Sequence, residues 1–345
     1  MSATRGFVLK RVVNRLVTLF GLVCVLFLVF EVIPQALGLN LGFFFTGANP
    51  LANPKGAQGQ INLIQQAVSE FHLLAPIYVR FGYFALNLFT FNFGMSTTFK
   101  EPVVVAVLQY LPNTLLLATA SLLTTSGISV ALGVAAAKSN LSLKGRAKDY
   151  AYSLFSIATY FIPIFWVGMI IYVVFTDQLH LFPINLAYAL NGGGTHSYTG
   201  VQYYLRYIWA AILPIGVLTM VGFGHRQQLL RNNIMEEYSS AGYVSFLRAR
   251  GVPDKQVFYK HAFRNALLPW VTQIGLDIAF LIYGIYFIEV LFNFPGMGWA
   301  SVQAADFFDI TFLAATTFIF ALYTLAVLTL LDFVYVRLDP RIQLS

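Results

Sequence analysis

Leu16-Val17-Thr18-Leu19-Phe20-Gly21-Leu22-Val23-Cys24-Val25-Leu26-Phe27-Leu28-Val29-Phe30-Glu31-Val32-Ile33 is a run of 18 residues with one acidic side chain, Glu31, and no basic one. At about 1.5 Å of rise per residue, a helix of this length nearly crosses the ~30 Å hydrocarbon core of a bilayer. Five further runs share its character: Leu115 to Ala137, Tyr150 to Phe175, Tyr207 to Gly224, Ala266 to Phe292 and Ile310 to Val336. The fourth is the shortest of these and holds Pro214. Composition agrees, because only 10% of the 345 residues are charged and 58% are hydrophobic, whereas soluble chains are about 25% charged. Apolar content this high excludes disorder. The runs are continuous and too long for the alternating strands of a membrane barrel. The expected fold is all-α: a polytopic membrane protein with six transmembrane helices.

Basic residues divide unevenly across that topology. The N-terminal arm carries Arg5, Lys10, Arg11 and Arg15, and the loop between the second and third spans carries Lys138, Lys144, Arg146 and Lys148. Seven more, Arg226, Arg231, Arg248, Arg250, Lys255, Lys260 and Arg264, follow the fourth span, and Arg337 and Arg341 lie in the tail. These 17 face one side, against Lys55, Arg80, Lys100 and Arg206 on the other. The positive-inside rule therefore places both termini in the cytoplasm of a plasma (inner) membrane protein. Topology thus accounts for the net charge of +7, and no nucleic-acid partner is expected. The first run is expected to stay as an anchor rather than be cleaved, since no small-x-small site follows Ile33.

Two segments outside the spans are longer than ordinary loops. The external one, Pro34 to Leu111, opens with a Gly, Asn and Pro-rich part from Gly38 to Gly59. It continues with apolar residues at helical spacing, Ile61, Leu63, Ile64, Ala67, Val68, Phe71 and Leu74, which predicts short helices on the outer face. A second external loop holds Asn191-Gly192-Gly193-Gly194, expected to be a flexible turn because no Gly-Lys-Ser or Gly-Lys-Thr follows.

The internal loop, His225 to Asn265, is polar yet keeps apolar residues at helical spacing. Ala241, Val244, Phe246, Leu247 and Ala249 precede Gly251, and Val257, Phe258, Ala262 and Phe263 follow it. Gly251 suits a left-handed helix end, Pro253 the first turn of a new helix, and Asp254 that helix's positive end. The pattern predicts helix, tight turn, helix. Such a pair can be gripped by another protein or can lie on anionic lipid, and periodicity alone leaves both open.

Catalytic motifs are missing. No Gly-Lys pair occurs, so a Walker-type phosphate loop is excluded, and neither HExxH nor GxSxG is present. The five histidines are scattered and Cys24 is the single cysteine, so neither a metal site nor a disulfide framework is expected. Ionisable residues in spans are costly and become functional candidates. Glu31, Glu289 and Asp332 stand near span ends, where they are expected to reach headgroup water. Asp277 stands deeper, with Gln273 one turn earlier on a similar face. Its carboxylate either lines a pathway and meets a cationic or hydrogen-bonding solute, or makes a hydrogen bond or ion pair inside the bundle.

A resemblance becomes specific in the internal loop. Tyr243-Val244-Ser245-Phe246-Leu247-Arg248-Ala249-Arg250-Gly251, followed by Lys260-His261-Ala262-Phe263-Arg264-Asn265-Ala266-Leu267-Leu268-Pro269, resembles the cytoplasmic motif of ABC-importer permeases, most closely the dipeptide/oligopeptide class. Gly94-Met95-Ser96, Leu111-Pro112-Asn113-Thr114-Leu115, Glu289-Val290-Leu291-Phe292, Phe294-Pro295-Gly296-Met297-Gly298, Asp309 and the tail Leu338-Asp339-Pro340-Arg341-Ile342 match in order. Phe246 and Leu247 stand where the family has small residues, which implies a bulkier contact. Pro34-Gln35-Ala36-Leu37 replaces the usual Pro-Gly-Asp-Pro.

The resemblance implies a type I ABC importer permease fold, with an N-terminal anchor and external segment over 1–110 and a permease domain over 111–345. Within the coupling loop, 225–265, it implies that Tyr243, Val244, Phe246, Leu247, Arg248, Ala249, Arg250, Gly251, Val252 and Pro253 form a coupling helix held by an ATPase subunit. Gly251 then lets two helix segments approach, and Arg248 and Arg250 pair with acidic groups on the ATPase or with the anionic leaflet. The implied partners, beside the lipid bilayer, are a second homologous permease, two ATP-binding subunits that hold ATP and Mg, and an extracytoplasmic solute-binding protein. Gln273, Asp277 and Glu289 are the pathway candidates. Peptides are the expected solutes, with oligosaccharides or metal chelates as alternatives. A secondary transporter or channel working without ATP is the rival of a different class, disfavoured by the lack of an internal repeat.

Overall fold

The computed structural model describes residues 2–38, 57–70, 72–194, 198–240 and 242–338. Most of the Gly, Asn and Pro-rich part after Gly38 and the tail motif after Leu338 lie outside the described residues. Those described form helices and, apart from an isolated antiparallel bridge between Met95 and Pro102, no strand. In chain order the helices are α1 (Ser2–Phe27, continued by π-helical Leu28–Val32 and by Ile33–Ala36), α2 (Ala57–Glu70), α3 (Ile77–Phe89), α4 (Val103–Asn140), α5 (Arg146–Phe161), α6 (Ile164–Tyr172), α7 (Leu186–Asn191), α8 (Val201–Ser240), α9 (Gly242–Ala249), α10 (Phe263–Leu291), α11 (Met297–Asp306) and α12 (Ile310–Leu338).

Four helical stretches are long and apolar enough to cross a membrane: Arg11–Ala36, Val103–Asn140, Val201–Ser239 and Ile310–Phe333. The number rises to six if each of two bent pairs counts as one span. The run expected as a continuous third span, Tyr150 to Phe175, is broken, and Leu143–Phe161 meets Ile164–Gln178 at 94°. Pro163 is the cause: proline pushes the preceding residue out of the helical region, and Ile162 is extended, with φ −74° and ψ 126°. The fifth expected span bends by 55° between Phe280 and Gly284. Pro214, by contrast, lies inside the 40-residue α8 without ending it. At about 1.5 Å per residue α8 is near 60 Å long, twice the hydrocarbon core. The internal loop therefore starts near Ser240 rather than at His225, and Arg226 and Arg231 are helical residues. Likewise α4 begins at Val103, inside the stretch read as external.

Contacts group the chain into two units, Met1–Thr114 with Pro295–Ser345, and Leu115–Phe294. Residues 295–345 thus join the N-terminal segment, whereas the sequence places them with 111–294. The physical reason is packing of α12 on α1. Within this first unit Phe27 and Phe81 meet edge to face at 5.4 Å, and Phe89 meets Phe318 in the same way. Glu31 is buried and paired with Arg80 at 2.8 Å, and Asp332 pairs with Arg11 and Arg15. Each carboxylate therefore has a guanidinium partner from another helix, the Glu31 pair buried and the Asp332 pair partly exposed. The Asn113 amide donates to the Pro295 carbonyl (2.6 Å), and the Thr114 hydroxyl accepts from the Met297 amide (2.7 Å).

The second unit is organised by α8, which packs on α5 and α10. Gly224 permits the first contact: a Cβ there would stand 2.2 Å from the Ser156 carbonyl oxygen. Leu117, Val217, Ile285, Ile288 and Phe292 belong to one buried cluster. Ala137, Leu230, Ile234, Tyr238, Val257, Phe258 and Trp270 belong to another. Asp149 is held by Arg231 and Asn140. The expected turn at Gly192 is a helix C-cap instead: Gly192 is left-handed (φ 54°) and closes α7.

Candidate functional site

Helix α9 is terminated by a paired hydrogen-bond motif. The Gly251 amide donates to the Arg248 carbonyl (2.9 Å) and the Val252 amide to the Leu247 carbonyl (3.1 Å), with Gly251 at φ 75°. Satisfying the last carbonyls in this way requires a left-handed residue, which glycine adopts without a Cβ penalty. A Cβ on Gly251 would meet nothing within 4 Å. The glycine thus serves the turn's dihedral rather than a close approach of two helices. Pro253 then caps Asp254–Gln256, and π-helical Val257–Ala262 leads into α10.

One face of this element is anchored. Val244 is buried with Val257, Phe258, Ala262, Leu230 and Ile234, and Tyr243, Leu247 and Val252 pack against the same cluster. Each fully buried aliphatic or aromatic side chain contributes about 1.5–3 kcal/mol. The Tyr243 hydroxyl donates to the Glu237 carboxylate (2.7 Å) and accepts from the Asn265 amide (3.2 Å). Burial, together with the Glu237 carboxylate, pushes the Tyr243 phenol up to about 12.

The other face is open. Phe246 is 60% exposed, and Ala249 and Arg250 are exposed too. Phe246 therefore stands apart from the buried side chains of α9, and the Arg250 guanidinium lies 5.3 Å from its ring centroid. Arg248 is committed within the chain: it donates to Asp254 (3.0 Å) and sits 4.5 Å over the Tyr238 ring. Of the two arginines expected to meet an outside acid, Arg248 already has one, and Asp254 serves as its partner as well as opening the next helix.

The pathway candidates separate. Gln273 donates to Asp277 (3.0 Å), and Asp277 is ion-paired with Arg226 of α8. The ion pair that one of the two readings of Asp277 expects is present. Asp277 also borders a cavity of about 240 Å³, together with Arg226, Ser121, Thr125, Ile164 and Phe280. Glu289 is fully buried, does not line that cavity and does not reach water. Arg226 was missed by sequence reasoning, since a cation just after an apolar run reads as the start of a loop. The one available signal was Pro214, which need not end a helix.

Fold and sites together define a multi-pass membrane protein, helical throughout its described residues, with a capped helix–turn–helix between α8 and α10. Residues 129–344 match the family described as binding-protein-dependent transport system inner membrane component, and the chain belongs to that family. It is 29% identical to the dipeptide transport system permease protein of Lactococcus lactis subsp. cremoris, over 98% of this chain and 99% of the relative. Identity is 31% to the oligopeptide transport system permease protein of Bacillus subtilis, over 90% and 96% of the two chains. It is 29% to a probable D,D-dipeptide transport system permease protein of Escherichia coli, over 86% and 88%.

Proposed function

We propose that this chain is the permease subunit of an ATP-driven importer and forms half of a translocation pathway for dipeptides or oligopeptides. The observation that carries the coupling role is α9, anchored through Val244 and rigidly ended at Gly251 while Phe246, Ala249 and Arg250 stay exposed. A short helix fixed on one face can transmit a push, whereas a loose loop has no differential contact to transmit. Phe246 is the apolar anchor offered to an ATPase groove, and Arg250 the charge beside it. ATP and Mg belong to two partner ATPase subunits, and a second permease and a solute-binding protein complete the assembly. Both termini and α9 face the cytoplasm, supported by the 17 to 4 division of basic residues.

Peptide specificity rests on the near full-length similarity to dipeptide and oligopeptide permeases. The test is co-purification with the gene products encoded beside this chain, followed by solute-stimulated ATP hydrolysis in vesicles. Stimulation by a peptide-loaded binding protein supports the reading. Stimulation only by an oligosaccharide or a metal chelate moves the substrate class, and uptake without any ATPase overturns the importer.

A further inference from the structure

The second unit holds a cavity in which two opposite charges face each other. Arg226 and Asp277 form an ion pair whose side chains are 12% and 21% exposed, and both border the cavity of about 240 Å³. A water occupies about 30 Å³, so the space takes several waters or a short stretch of peptide. The break at Pro163 and the bend in α10 both border it. Ile164 is the first residue of α6, just after the Pro163 break, and Phe280 and Gly284 flank the 55° bend. Interrupted helices are tolerated at membrane depth only where they line a cavity or are buried in protein. The remaining polar wall comes from Ser121 and Thr125 of α4.

An ion pair on a cavity wall restricts what can displace it. A purely cationic solute attracted to Asp277 must leave Arg226 unpaired, and an anionic one leaves Asp277 unpaired. Stranding one partner of a buried pair is strongly destabilising. A ligand with both charges replaces both partners at once. We propose that Arg226 and Asp277 form a zwitterion subsite, with Arg226 taking the carboxylate and Asp277 the ammonium of a free peptide, and with the pair closing on itself when the cavity is empty. This rests on the peptide-import reading and reverses the preference for cations that Asp277 alone suggests.

The test is thiol protection in the reconstituted transporter. In a Cys24→Ser background, Ser121→Cys places a nearly isosteric thiol on the cavity wall. Its modification by a small methanethiosulfonate is followed with dialanine, dialanine amide and N-acetyl-dialanine. Dialanine is expected to protect at concentrations about ten- to a hundredfold lower than either singly blocked peptide, the range for one lost charge-assisted hydrogen bond. Arg226→Gln should abolish the advantage over the amide, and Asp277→Asn the advantage over the acetylated form, with membrane abundance as the control for folding. Should those variants not assemble, the three peptides on the intact pair still decide. Equal protection by all three, or none, overturns the subsite, as does protection that depends on phosphatidylethanolamine in the vesicles rather than on peptide. Peptide uptake measured alongside keeps the readings apart: absent uptake with dialanine protection condemns the import reading only.

Discussion

Ser96 and Asp309 stand 213 positions apart, and the Ser96 hydroxyl donates to the buried Asp309 carboxylate. The same carboxylate accepts from the Thr98 amide (3.0 Å), the Thr311 hydroxyl (2.8 Å) and the Phe312 amide (3.0 Å). One side chain thereby starts α12 and fixes the Gly94-Met95-Ser96 turn. Asp309→Ala should cost at least about 3 kcal/mol, because several buried donors lose their acceptor together. Asp309→Asn, which keeps one carbonyl oxygen, should lose less. Thermal unfolding in detergent ranks both against the unmodified chain, and an unchanged midpoint for Asp309→Ala would show that the carboxylate is dispensable.

Gly251 offers a test in which contact and dihedral separate. Its φ is 75° with open space where a Cβ would go, so Gly251→Val should weaken the end of α9 and lower stimulated ATP hydrolysis at matched assembly. Asparagine tolerates the left-handed region, and Gly251→Asn should retain most of the stimulation. If valine and asparagine behave alike, the turn's dihedral is not what matters.

Gly224→Ala probes close helix packing. The added methyl would meet the Ser156 backbone oxygen at 2.2 Å and the Thr159 hydroxyl at 2.6 Å, so α5 and α8 must separate. Overpacking of this kind costs about 1–3 kcal/mol or more. Reduced membrane abundance is expected, whereas Gly216→Ala on the same helix, with nothing within 4 Å, should be neutral. A normal yield for Gly224→Ala would refute the close contact.

The helix–turn–helix should loosen in alkali. Tyr243 has a folded value of about 12 against an ordinary 10.0, so above pH 10 the unfolded chain releases its proton first. The stabilisation is complete below about pH 10 and is lost as pH rises towards 12. An environment-sensitive label at Ser245→Cys, in a Cys24→Ser background, should report easier unfolding by denaturant at about pH 11 than at about pH 9. Tyr243→Phe should flatten that difference, and an unchanged slope in the variant would count against it.

Orientation is open to labelling in the same cysteine-free background. Thiols at Ser142 and Ser245 should resist an impermeant reagent in intact cells, and one at Leu74, 89% exposed, should react. The reverse pattern would place the termini outside.

Hydropathy and local spacing decided much of this protein. The all-helical class, the apolar segments and the helix–turn–helix at Gly251 depend on residues within a few turns of one another, and short-range sterics and water exclusion act on that scale. Pro163 and Pro214 mark where this reasoning weakens: one breaks its helix at 94° and the other is absorbed. A missing N–H is tolerated or not according to what packs around it. The charged groups were decided by the tertiary structure. Glu31 finds Arg80 at a separation of 49 residues and Asp277 finds Arg226 at 51, while Glu289 is fully buried rather than wet. Ion pairing in a low-dielectric interior is strong enough to fix such groups but depends on distances of a few ångströms across different helices. No spacing along the chain encodes those distances, and only the packing of α1 on α3 and of α8 on α10 sets them.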